Sequence, residues 1–175
     1  DENFHLFAVD VSKEGSKARD LTPFDGAKAQ NVITNKRFPD ELLVAVNARD
    51  KAQFDMYRVQ LESGDIKLDT ENPGGIVGWG SEDESFEVRE GIRVNPDSSK
   101  TVLVRDSTKA EWRDLAVFPY GEEGGMVDFC NDGEHALMTS SVGRETTALT
   151  KVKLSDGSTT EVIAFNDKAD CGGIM

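Results

Sequence analysis

One spacing constrains this chain more than any other feature. Leu21 in Ala18-Arg19-Asp20-Leu21-Thr22, Leu68 in Ile66-Lys67-Leu68-Asp69, Leu115 in Arg113-Asp114-Leu115-Ala116 and Val162 in Glu161-Val162-Ile163-Ala164 follow one another at intervals of 47 residues. A fixed period of that length marks supersecondary units that repeat along the chain and bury their faces only against one another. Each of the four residues closes a similar phrase and is expected to point inward at equivalent places in successive units.

The phrase is an alternating strand, a turn with glycine, and a second strand. It reads Leu6-Phe7-Ala8-Val9-Asp10-Val11 before Gly15, Met56-Tyr57-Arg58-Val59-Gln60-Leu61 before Gly64, and Leu149-Thr150-Lys151-Val152-Lys153-Leu154 before Gly157. Apolar and polar residues alternating up to a Ser-Gly-Asp or Asp-Gly-Ser turn are a hairpin signature. The occurrence at residues 109–114 has lost its glycine. A second phrase, taken to supply the first two strands of each unit, runs Gly91-Ile92-Arg93-Val94 through the Pro96-Asp97 turn to Thr101-Val102-Leu103-Val104. Residues 127–138 and 31–46 repeat it, with Pro, Asp and Gly setting the turns.

Four short strands per unit of about 47 residues, with no sustained 3.6-residue periodicity, is the arithmetic of a β-propeller blade. The expected fold class is therefore all-β, a partial propeller of three to four blades of four antiparallel strands. Residues 3–23 form a half blade, 24–72, 73–119 and 120–165 whole blades, and 166–175 the start of the next. A two-sheet β-sandwich also uses short strands at regular spacing. It does not predict the same interval three times over.

Composition narrows the partners. The formal net charge is -13, and the acidic residues are spread along the whole chain as a solvated surface. Lys and Arg form no cluster of the kind that displaces counterions from phosphates, so nucleic acid is not expected as a partner. No apolar run approaches the roughly 20 residues of a membrane helix, so no membrane partner is expected either. The opening Asp1-Glu2-Asn3-Phe4 lacks the basic and apolar regions of a signal peptide. The compartment is left open. Cys130 and Cys171 are too few for a disulfide framework and are expected as free buried thiols, with a long-range disulfide between them left open. With just His5 and His135 to complete a site, no metal is expected.

The run Arg19-Asp20-Leu21-Thr22-Pro23-Phe24, the strand Phe54-Asp55-Met56-Tyr57-Arg58-Val59 with Leu61-Glu62-Ser63-Gly64, and the Pro96-Asp97 turn resemble the N-terminal propeller of prolyl oligopeptidase-family serine peptidases. Related repeats occur in the Tol-system propeller protein. The resemblance implies a propeller that covers an α/β-hydrolase domain with a Ser, Asp and His triad and restricts access to it. It stops at the propeller. The hydrolase elbow would read G-x-S-x-G, and the nearest sequence, Gly78-Trp79-Gly80-Ser81-Glu82-Asp83, has no glycine two residues after the serine.

No catalytic residue, cofactor or metal ligand is therefore expected within this chain. His5 and His135 are expected as ordinary surface or core histidines. Glu122-Glu123 and Glu82-Asp83-Glu84 are adjacent in sequence and unsuited to a paired-carboxylate mechanism. Gly74-Gly75, Gly124-Gly125 and Gly172-Gly173 precede apolar residues at near-period spacing. Without a following helix and Lys they are expected to mark close backbone approach rather than a phosphate cradle. Two functions fit. The chain is the gating or docking part of a serine peptidase, partnered by the rest of its own propeller, a hydrolase domain and peptides. Alternatively it is a non-enzymatic propeller scaffold whose open blades are covered by a protein partner.

Overall fold

The computed structural model describes residues 3–172, in which every regular element is a strand. β1 (Phe7–Ala8) and β2 (Arg19–Asp20) make a two-stranded sheet. β3 (Ala29–Thr34), β4 (Glu41–Asp50), β5 (Gln53–Gln60) and β6 (Ile66–Thr70) follow one another in an antiparallel meander. β7 (Ile76–Ser81), β8 (Val88–Val94), β9 (Lys100–Val104) and β10 (Arg113–Phe118) form the next such sheet, and β11 (Gly124–Phe129), β12 (His135–Ser140), β13 (Ala148–Lys153) and β14 (Thr159–Ala164) the last. This is the four-strand repeat of a β-propeller. The chain divides into two compact units, Asp1–Ser81 and Glu82–Met175.

Each unit has its own core. In the first, β4 carries six consecutive buried residues from Leu42 to Asn47. A run buried on both faces is how a strand covered on each side reads, in place of simple alternation. Leu42, Val44 and Val46 join Leu21, Tyr57 and Val59 in one cluster, against which Leu6, Ala8 and Phe24 pack. In the second unit, Val102, Val104, Leu115 and Phe118 from β9 and β10 meet Phe129, Ala136, Met138, Val152 and Leu154. Two neighbouring sheets thus share one apolar layer, and each fully buried side chain there stabilises by roughly 1.5–3 kcal/mol.

The hairpin turns repeat atom for atom. Gly64 donates its N–H to the Gln60 carbonyl at 2.8 Å, and Gly157 donates to the Lys153 carbonyl at 2.9 Å. Their φ angles of 79° and 71° lie in the left-handed region, where a side chain is strained.

Three expectations need correction. Gly91 to Val104 is not the first strand pair of its sheet but the second and third strands, because β7 takes the first place. β7 carries Gly78 and Gly80, which are poor strand formers. Side chains of the first unit secure it instead. Asn31 Oδ1 accepts the Trp79 N–H at 2.8 Å, Asn72 Nδ2 donates to the Ile76 carbonyl at 2.8 Å, and Asn72 Oδ1 accepts the Gly74 and Ile76 amides. Trp79 Nε1 adds a bond to the Phe54 carbonyl at 3.1 Å.

The four repeat residues are also not equivalently inward. Leu21 and Leu115 are buried, whereas Leu68 is 48% and Val162 46% exposed. Leu68 and Val162 lie on β6 and β14, the last strands of their sheets, where burial depends on what covers the sheet margin. Leu115 is covered because the β13–β14 turn rests on it, so closely that a Cβ at Gly157 would overlap the Leu115 carbonyl.

The glycine pairs, finally, do not share one role. Gly124 faces the Phe118 ring with no room for a Cβ, the expected close approach, whereas Gly74 and Gly75 have positive φ and Gly74 meets open space. Gly173 lies outside the described residues, as do Ile174 and Met175 from the expected start of a further blade.

Candidate functional site

In an antiparallel meander alternate loops emerge at the same sheet edge. In the second unit this brings together residues 82–87, 105–112, 130–134 and 154–158, the connections β7–β8, β9–β10, β11–β12 and β13–β14. Two depressions open on this loop face. One, of about 330 Å³, is lined by Glu82, Glu84, Glu87, Arg89, Phe129 and Cys130, among others. The other, of about 580 Å³, lies along Asp106, Arg113, Glu134, His135, Lys153 and Leu154.

The first is acidic and built around Arg89. The β7–β8 loop is tied to itself: Glu82 accepts the Ser85 amide at 2.8 Å, the Glu84 amide at 3.1 Å and the Ser85 hydroxyl. Burial works against the Glu82 charge, but those hydrogen bonds and nearby Arg89 prevail and hold the carboxyl below its usual range. Phe86, at φ 54°, turns its side chain wholly into the interior and anchors the loop. The Arg89 guanidinium stacks over the Phe129 ring at 4.7 Å and donates to the Arg105 carbonyl at 3.1 Å. Arg105 is itself buried. It donates to the Val88 and Thr108 carbonyls and stacks on Trp112, which organises the β9–β10 connection that lacks a turn glycine.

Glu90 on β8 and Asp128 on β11 approach each other nearby. Burial, with the Asp128 charge added, pushes Glu90 up to about 7. Asp128 is raised as well, by burial against the hydrogen bond from the Phe129 amide, with Asp83 and Glu82 adding repulsion. Sequence reasoning passed over this pair. The two acids are 38 positions apart and lie on separate sheets, so nothing local announces them.

His5 Nδ1 lies 2.6 Å from Asp20 Oδ2 and its ring stacks on Phe7. His135 Nδ1 lies 3.0 Å from Asp132 Oδ2, an oxygen also held by Lys151 at 3.0 Å. The Glu134 amide, together with Lys151 and His135, keeps Asp132 well below the usual carboxylate range. Neither imidazole is hydrogen-bonded to a serine, threonine or cysteine among the described residues. Glu122 accepts the Ser141 hydroxyl at 2.5 Å, and the same hydroxyl accepts the Glu123 amide, a local cap. Ser81 ends β7 and is no strand-to-helix elbow. Cys130 and Cys171 are free thiols, each partly rather than fully buried, and burial raises Cys130. Among the described residues no helix is long and apolar enough to cross a membrane.

No family model matches the chain. Over 180 aligned residues, the whole of its length, it is 34% identical to dipeptidyl aminopeptidase BIII of Pseudoxanthomonas mexicana, a protein of the prolyl oligopeptidase family. The chain spans 25% of that relative. Among solved structures it is similar to TolB from Acinetobacter baumannii, with a TM-score of 0.59 and 12% identity, over 94% of this chain and 38% of that one. At that identity the likeness speaks for the fold alone.

Proposed function

From its propeller fold and its likeness, along its whole length, to one quarter of a peptidase of the prolyl oligopeptidase family, we propose that the chain is a β-propeller segment of that family and the non-catalytic part of a serine peptidase, admitting and docking peptides for an α/β-hydrolase domain that these residues do not contain. The observation that carries this reading is the 34% identity along the entire chain to one quarter of a dipeptidyl aminopeptidase. A quarter of such an enzyme leaves room for a catalytic domain elsewhere in it. Residues 24–72, 73–119 and 120–165 are, in this proposal, successive blades of the gate. The acidic loop face around Glu82, Glu87 and Arg89 is the side offered to peptides, since its carboxylates suit the amino end of a chain.

The coding sequence beyond Met175 is expected to hold G-x-S-x-G followed by Asp and His. The protein that includes it should cleave short peptides and spare folded ones, while the isolated 175-residue chain hydrolyses no peptide or ester. Turnover by the isolated chain, with a serine-directed inhibitor bound covalently to it, would overturn the proposal. So would a parent protein with no hydrolase motif.

A further inference from the structure

The larger depression of the second unit holds a group left without a partner. Arg113 opens β10, and its Nη2 donates to Asp106 Oδ1 at 2.7 Å. Its Nη1 is screened from solvent and meets no acceptor among the described residues. A buried donor without a partner is rare in folded proteins. The Asp106 carboxylate that holds the other nitrogen is 72% exposed, and a pair so open to water is weak. The guanidinium is a planar fork suited to two parallel bonds from one carboxylate, and here it makes one.

Its surroundings suit an incoming acid. Lys153, at the end of β13, His135 and the buried Leu154 line the same cavity. Asp106 and Glu134 are the acidic residues lining the cavity, and Asp132 beside it is occupied by Lys151 and His135. A volume of about 580 Å³ falls in the usual size range for sites that take small ligands.

We infer that this cavity binds a carboxylate at the end or on the side chain of a short peptide, with Arg113 taking both oxygens in place of Asp106 and Lys153 adding its charge. The site adjoins the acidic depression around Arg89, with which it shares Gly133 and Leu154, and has the opposite preference.

The test uses the full 175-residue chain labelled with 15N, titrated to about 10 mM with N-acetyl-dialanine, its C-terminal amide, or N-acetyl-glutamate α-amide with its side-chain carboxylate free, with the Arg113 Nε and His135 ring signals followed by NMR. Saturable shifts with either acid and none with the amide are expected. Whichever acid binds more tightly identifies the source as a chain end or a side chain. Arg113→Gln should weaken binding at least about tenfold and Lys153→Ala about threefold. Lys153 is exposed, so the second variant keeps the test valid if the first loses its fold. Equal shifts with acid and amide, no saturation with either acid, or unchanged affinity in Lys153→Ala together with a folded Arg113→Gln would overturn the inference. Such a failure leaves the peptidase proposal intact, because that proposal is decided by hydrolase sequence and turnover.

Discussion

Single residues decide how this chain tolerates its own charge. Glu90 has a folded-state pKa near 7, above its ordinary 4.5, since burial and Asp128 both disfavour the carboxylate. The folded state then binds more protons than the unfolded chain between those two values, and stability falls as pH rises from about 4.5 to about 7. Glu90→Gln removes the titration while keeping the shape. It should raise stability by on the order of 1–2 kcal/mol at pH 8 and change it little at pH 4. Urea unfolding at the two pH values checks this. A gain of equal size at both would mean that the charge of Glu90 is not the cause.

Strands and turns explain why equal spacing did not bring equal burial. Leu115 is pressed by the turn at Gly157 and belongs to the shared apolar layer of the second unit. Leu68, at the same place in its own sheet, stands opposite Tyr57 on an outermost strand and remains half in solvent. Leu115→Ala should therefore cost about 2–4 kcal/mol and Leu68→Ala under about 1 kcal/mol. Similar losses at both positions in denaturant melts would show that Leu68 is covered in solution. The Asn31 and Asn72 bonds to β7 make the same point for a whole strand. Its two glycines contribute little propensity, and side chains from β3 and from the segment after β6 supply hydrogen bonds that a sequence pattern does not display.

At the scale of the whole molecule, the sheets at the two ends of the series carry exposed apolar side chains. Phe7, Val9 and Val11 lie on or beside the two-stranded sheet, with Val11 92% exposed, and Val162, Ile163 and Phe165 lie on or just after β14, whose every residue is exposed. Propeller sheets bury their faces against neighbours, and unpaired edges invite association. The net charge of -13 opposes aggregation but covers no apolar surface. The isolated chain is expected to self-associate and to bind an apolar dye. Sedimentation giving a monodisperse monomer with negligible dye binding, and with cooperative unfolding, would show that these surfaces need no cover.

By itself the sequence determined the class of this protein. The 47-residue interval, the alternating strands and the turns at Gly64 and Gly157 are local signals, because a turn of positive φ and a strand of period two are written in adjacent residues. They sufficed for an all-β propeller repeat and for its likeness to the prolyl oligopeptidase family. The tertiary structure alone decided that β7 begins its sheet, that Leu68 and Val162 face water, that Gly124 must admit the Phe118 ring, and that Glu90 meets Asp128. It alone also left Arg113 with an idle nitrogen beside a cavity. Each of these depends on which distant residues arrive at a given place. Burial, steric overlap and the shift of a carboxylate arise from such neighbours, and in a chain of non-local strand pairs the neighbours are set when the sheets pack.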